Sequence, residues 1–483
     1  MLSMINSAIS RGVVNDVTFV PMSFNYEKPM ESFLYGTELS GEGKHKETLS
    51  NLIKARSVLK SNFGQTTVVF GKPFSAKEWT NKHVADMSRA GALRAVVSAA
   101  AEAKKAVVVP QAIVVPEVDD SPYDVVNNRV HRNYMTRSLA YEVIYAMSLG
   151  NEVMPTHIVA ALMLQYRQGI NRAQLLAQFE WACKEIELRG GYVHGIQMQG
   201  MDVIIDKALN HLKDLVRRQN RNIYEPAISS RNEYTNMLVL GQYKNRMIQY
   251  FYREALWCVA IHSLLRSKTP VTVAATLERV RFLHVLLQNE FVIRPDVDTP
   301  EDHVKMLNTM VSAGILTIHD DIIDIAVSGE THFTFLCTLL WPSIDSLYSA
   351  ALMLYSLQPT KAATRDALVA SAQWLAITQY HEGRLSYFEA CSKDTLDNSF
   401  AMFKDIGVLE PVYNTKKILT ADGNYVFAPV QFKLAAAYQD EKLIDDIVDR
   451  VSSLRKAPIV ETNKRRDLIF ALPGLAKMQQ SKL

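Results

Sequence analysis

The chain has 483 residues, of which 48% are apolar and 21% charged, so it is globular rather than disordered or fibrous. Lys plus Arg number 53 against 50 Asp plus Glu, a balance that excludes a nucleic-acid partner bound through bulk charge. The four cysteines (Cys183, Cys258, Cys337 and Cys391) are far apart and show no CxxC spacing, so they form no metal site and read as buried or idle thiols.

In chain order, Val17 to Phe24 reads as a short strand interrupted at Pro21, because proline cannot donate to a β-ladder. Residues 44–62 read as a helix, with Leu49, Leu52, Ile53, Val58 and Leu59 on one stripe. Thr66 to Phe70 is a second strand closed by a turn at Gly71-Lys72-Pro73. Residues 81–125 form a linker that includes an Ala-rich helix from Ala90 to Ala106.

From Asn127 to about Arg455 the period is helical. Pro155 or Thr156 starts one helix, since a proline in the first turn loses no needed donor. Gly190-Gly191 marks a break. A stripe of Ile205, Leu209, Leu212 and Val216 predicts one helix through Val216. Long helices are predicted at Tyr243–Arg266, Val271–Gln288, Pro300–Ala313, Phe333–Leu357 and Thr364–Glu389, with short strands or a loop from Ile318 to Ala326. The apolar window His332 to Leu357 carries Pro342 and Asp345, so it reads as a buried helix pair rather than a membrane span. The expected fold is mostly α: residues 1–80 as a short α/β segment, 81–125 as linker, 126–460 as a helical domain, and 461–483 as a tail.

Few motifs carry chemistry. There is no GxxxxGK[ST], GxSxG, HExxH or GxGxxG after a strand. His319 and Asp324 have the His-x4-Asp spacing in which a carboxylate orients a catalytic base. The pair follows a helix end and lacks a basic, glycine-rich phosphate cradle, so it reads as a chance match, and no catalytic residue is assigned. Tyr243, Asn245, Arg246, Arg253 and Glu254 form a polar cluster that reads as an ion-paired helix surface. The chain ends Ser481-Lys482-Leu483, the tripeptide that addresses proteins to peroxisomes through an import receptor. Lys464-Arg465-Arg466 could add peripheral attraction to anionic lipid.

Several segments together resemble the glycerol-3-phosphate/dihydroxyacetone-phosphate acyltransferase family. They are Val20-Pro21-Met-Ser23-Phe-Asn-Tyr26-Glu27, Leu52 to Lys60, and Phe63-Gly64 through Pro73. Met154-Pro155-Thr156, Arg189-Gly-Gly191, Tyr243-x-Asn245 to Phe251, and Asn289-Glu290-Phe291 follow in the family's order. At Gln249 the family pattern has a histidine. The resemblance implies that residues 1–80 are the end of an acyltransferase domain. Of that domain's four blocks, only the Pro-centred one is present, at Pro21. The His-x4-Asp, Gly…Arg and Pro-Glu-Gly blocks would precede residue 1, so the chain by itself is expected to be inactive.

The resemblance places Pro21, Ser23 and Tyr26 in the wall of the substrate site, in a positional role. It implies transfer of an acyl group from acyl-CoA, a substrate rather than a cofactor. The acceptor is a hydroxyl of dihydroxyacetone phosphate or glycerol 3-phosphate. Ser481, Lys482 and Leu483 favour the dihydroxyacetone-phosphate branch, which begins ether-lipid synthesis in peroxisomes and partners with the next enzyme of that route. A non-catalytic partner-binding scaffold is the alternative expectation.

Overall fold

The computed structural model describes residues 2–41, 62–86, 124–219, 222–227, 233–292, 300–413, 417–419 and 425–458. Most of the expected helix at 44–61, the Ala-rich stretch, the Lys464–Arg466 cluster and the Ser481–Leu483 terminus lie outside them. The described chain is mostly α, with small antiparallel sheets.

The elements that matter for the site run as follows. First come α1 (Leu2–Ser10), β1 (Thr18–Phe19), β2 (Met22–Tyr26), α2 (Ser32–Leu39), β3 (Thr66–Phe70), β4 (Phe74–Ser75) and α3 (Arg129–Leu149). Then come α4 (Pro155–Gln165), α5 (Arg172–Leu188), α6 (Met201–His211), α7 (Glu233–Asn245), α8 (Tyr252–Arg266), α9 (Val273–Leu287) and α10 (Pro300–Ser312). A hairpin of β5 (Leu316–His319) and β6 (Ile322–Ile325) precedes α11 (Glu330–Met353), α12 (Arg365–His381), α13 (Lys393–Asp405) and α14 (Glu441–Leu454).

These elements form two compact units. One comprises residues 1–25, 66–152 and 292–299, and the other 26–65, 153–291 and 300–483. The segment from Tyr26 to Gln65 thus groups with the helical body.

In the first unit, Pro21 separates β1 from β2 as the sequence predicts. Its carbonyl still accepts from the Gly71 amide at 2.7 Å. β2 pairs with β3, and β1 pairs with β4. The alternation of β2 is inverted relative to a usual half-buried strand. Ser23 and Asn25 are buried, whereas Phe24 is 46% exposed, as are Val68 (45%) and Phe70 (68%) on β3. α1 packs on α3, where Asn6 donates to Thr136 Oγ1 at 3.2 Å.

The second unit is built around α11, which packs against α8, α12, α13 and α14. By length and composition, the stretch Val327–Leu357 could cross a membrane, yet 94% of its apolar window is buried inside the fold. It is one continuous helix carrying Pro342 and a terminal 3-10 turn, not the expected pair. The proline is tolerated because its neighbours hold the helix on all sides: Phe335, Leu339, Leu340 and Ile344 are at most 1% exposed. Asp345 lies in the same helix and forms a buried ion pair with Arg455.

Two other sequence expectations change. The helix predicted from Tyr243 to Arg266 is two helices, α7 and α8, separated by a 3-10 turn at Ile248–Tyr250. Ile248, Tyr250 and Phe251 are buried there, so packing rather than a glycine or proline ends α7. The stripe through Val216 stops with α6 at His211, and Val216 instead opens a strand, Val216–Gln219, paired with Ile223–Pro226. The four cysteines are free and buried.

Candidate functional site

Two of the motif-bearing segments, the first turn of α4 and the polar run from Tyr243 to Arg246, meet in the helical unit, where α2 crosses α7. The crossing is close because residue 36 is glycine: a Cβ there would stand 2.6 Å from Val239 Cγ2 and 2.9 Å from Thr235 Cγ2. The N-terminal end of α2 and the C-terminal end of α7 then enclose a cavity of about 380 Å³. It is lined by Pro29, Glu31, Ser32, Tyr35, His157, Gln242, Tyr243, Asn245 and Arg246.

His157 fixes one wall. It sits in the first turn of α4, which Pro155 opens as predicted. Its Nδ1 accepts from the Met154 amide at 3.2 Å, and its other ring nitrogen donates to the Tyr26 carbonyl. The ring is therefore neutral, with its proton on Nε2. Burial, aided by the nearby Arg246 cation, pulls its pKa down to about 3. Thr156 Oγ1 donates to the Glu27 carbonyl at 2.8 Å, so two side chains of α4 hold the chain leaving β2. The Glu27 carboxylate in turn accepts from the Gln65 amide at 3.0 Å and lies 3.5 Å from His211 Nε2.

Because the native ring resists the proton that the unfolded chain takes up near pH 6.5, His157 makes stability fall as pH drops from about 6.5 toward 3. The expected slope is about 1.4 kcal/mol per pH unit. His157→Gln can keep both hydrogen bonds without titrating. Urea midpoints at pH 7 and pH 5 should therefore diverge less for this variant than for the native chain. An equal divergence would place the acid sensitivity elsewhere.

The remaining walls are polar. Tyr243 is buried, its hydroxyl bonds Ser32, and burial pushes its pKa up to about 12. Tyr35 donates to Asp394 Oδ2 at 2.5 Å and is likewise pushed up to about 12 by burial and by that carboxylate. Gln242 Nε2 is a buried donor with no protein acceptor, and Arg246 and Asn245 stand exposed at the rim. Both ring nitrogens of His157 are occupied, and both tyrosines hold their protons at neutral pH. Across from the exposed Glu31 carboxylate, the cavity offers the Arg246 guanidinium and the amide donors of Gln242 and Asn245, groups that can hold an anionic group.

The sequence-assigned residues are only partly brought together. Tyr26 contributes its carbonyl to the His157 anchor, while its side chain is 41% exposed. Ser23 is buried and donates its hydroxyl to the Met147 carbonyl in the last turn of α3, which also accepts from the Gly150 amide at 3.1 Å. The Pro21 ring lies against Gly71. Neither Pro21 nor Ser23 lines the cavity. His319 and Asp324 lie on the β5–β6 hairpin, opposite Ile322 and Thr317, and both are exposed. The tight turn between the strands uses positive φ at Asp320 (48°) and Asp321 (69°).

The polar cluster at 243–254 divides between two places. Tyr243, Asn245 and Arg246 line the cavity, whereas the buried Glu254 accepts from Arg189 Nε at 2.8 Å. Arg189 also pairs with Glu185 and lies over the Phe251 ring. Its neighbour Gly191 must be small, because a Cβ would come within 2.7 Å of the Tyr250 ring. Glu290 accepts from Asn398 at 2.9 Å, Thr395 at 3.2 Å and Ser343 at 3.4 Å. The motifs at Arg189 and Glu290 are thus ties between helices.

Comparison with known proteins agrees with the order of these segments. Residues 35–412 match the glycerol-3-phosphate acyltransferase C-terminal region. A dihydroxyacetone phosphate acyltransferase from Oryctolagus cuniculus is 22% identical over 445 residues, which cover 89% of this chain and 58% of that protein. The mitochondrial glycerol-3-phosphate acyltransferase 1 from Homo sapiens is 24% identical over 496 residues, with the same shares. The human dihydroxyacetone phosphate acyltransferase is 22% identical over 426 residues, covering 85% of this chain and 56% of that protein. The chain therefore spans less than three fifths of the length of these relatives, and it belongs to the glycerol-3-phosphate acyltransferase family, whose C-terminal region it carries.

Proposed function

We propose that this chain is the helical part of an acyltransferase that moves an acyl group from acyl-CoA to the hydroxyl of dihydroxyacetone phosphate, the step that opens ether-lipid synthesis. The family match over residues 35–412 carries this reading. Relatives named for dihydroxyacetone phosphate support the acceptor, as does the Ser481-Lys482-Leu483 terminus, which suits the matrix side of the peroxisome and its import receptor. Glycerol 3-phosphate is the competing acceptor, favoured by the mitochondrial relatives.

In this reading no cofactor is needed, and acyl-CoA is consumed as substrate. Arg246, Asn245 and Gln242 offer the donors for a phosphate group. Pro21, Ser23 and Tyr26 have a positional role in the wall of the substrate site. Membrane contact is peripheral, and the next ether-lipid enzyme is a partner.

One complementation experiment tests the reading. Cells of the source organism lacking this gene should lose alkyl ether lipids, and the intact gene, with everything it encodes, should restore them. A copy without Leu483 should stay in the cytosol and restore less, since the receptor reads the chain end. Unchanged ether lipids in the deletion strain would remove this proposal.

A further inference from the structure

A second cavity shares no residue with the Arg246 site. It is an open groove of about 1000 Å³ between α5 and α10. That is at the top of the roughly 300–1,000 Å³ range of small-ligand sites. Trp181, Leu188, Val304 and Ala313 supply its apolar wall. Leu188 and Val304 are 67% and 58% exposed on two facing helices.

Trp181 is held from behind. Its indole stacks on His332 at 4.0 Å and 2°, and Phe335 meets it edge-on at 5.4 Å. Burial lowers the His332 pKa, against the pull of the nearby Glu185 carboxylate. Among the described residues, Lys184 on α5 and Lys305 on α10 line the groove and are exposed, and the one carboxylate lining it, Glu185, is already paired with Arg189.

We propose that this groove binds the aliphatic chain of an anionic amphiphile, with Lys184 and Lys305 beside its headgroup. An aliphatic chain fits the apolar wall of Trp181, Leu188, Val304 and Ala313, and the two exposed ammonium groups complement a carboxylate or phosphate. A neutral lipid would leave both cations without a partner, and a small polar anion would leave the apolar wall exposed. Binding here can be read without turnover.

The groove contains its own reporter. Dibrominated palmitate, added to the full chain below its micellar concentration, should quench tryptophan fluorescence saturably. Trp181→Phe should remove most of that quenching, because the other four tryptophans lie outside the groove. Lys184→Glu with Lys305→Glu, both at exposed positions, should weaken binding about tenfold or more while leaving the melting temperature unchanged. The methyl ester should bind as weakly to the native chain as palmitate does to that variant. Shortening the acid by four carbons should cost more than about tenfold. Competition by 1-acylglycerol 3-phosphate, compared with free palmitate, distinguishes a phospholipid headgroup from a fatty acid.

Absence of saturable quenching would overturn the proposal. So would quenching that survives Trp181→Phe, or equal binding of acid and methyl ester.

Discussion

Purified residues 1–483 should transfer no measurable acyl group from palmitoyl-CoA to dihydroxyacetone phosphate. The expectation rests on chemistry that these residues do not supply. Losing a general base costs about 10²–10⁴-fold, and loss of the phosphate cradle multiplies that. The only His-x4-Asp pair, His319 and Asp324, stands exposed on a hairpin. His157, the histidine nearest the polar cavity, is buried with both ring nitrogens engaged. A discontinuous assay with labelled acyl-CoA checks this. Turnover at ordinary enzyme rates, abolished by His319→Ala, would reverse the assignment of that pair as a chance match.

Asp345→Ala should destabilise the helical body by about 3–5 kcal/mol, the usual effect of removing one partner from a buried ion pair. Asp345 and Arg455 are 2% and 4% exposed. Burial pushes the Asp345 carboxyl above the usual range, while Arg455 and the Ser386 amide pull it back. Arg455 also donates to the Arg384 carbonyl at 2.6 Å and lies over the Tyr348 ring at 4.0 Å, so α14, α11 and the chain after α12 meet at this one guanidinium. Without the carboxylate, a buried cation keeps its desolvation cost and loses its counter-charge. Asp345→Asn should cost less, because an amide oxygen can still accept from Arg455. Urea unfolding of the full chain checks both, and a loss under about 1 kcal/mol for Asp345→Ala would show that the pair is not a structural tie.

The features legible in the sequence are those set by neighbours along the chain. Pro21 breaks a strand and Pro155 opens a helix because each acts within its own turn. Thr272 and Thr364 cap α9 and α12 by accepting from amides three residues on. The break after Asn245 carries no such mark. It is imposed by the burial of Ile248, Tyr250 and Phe251 against other helices, and the apolar period runs straight through it.

The cavity was only half visible for the same reason. Tyr243, Asn245 and Arg246 stand out as a polar run, but Ser32, Tyr35 and His157 join them only through the crossing at Gly36 and the anchoring of Tyr26. Glu254 belongs to Arg189, sixty-five residues away, a partner that no local spacing reveals.

Acceptor choice by the protein taken from its own cells bears most directly on the proposed role. The tagged native protein, captured gently from peroxisomes with whatever it carries, would be given labelled palmitoyl-CoA and either dihydroxyacetone phosphate or glycerol 3-phosphate. Acylation of dihydroxyacetone phosphate in clear preference to glycerol 3-phosphate, lost from cells lacking the gene, is the predicted result. Acylation of glycerol 3-phosphate alone, or of neither acceptor by intact captured protein, would refute it.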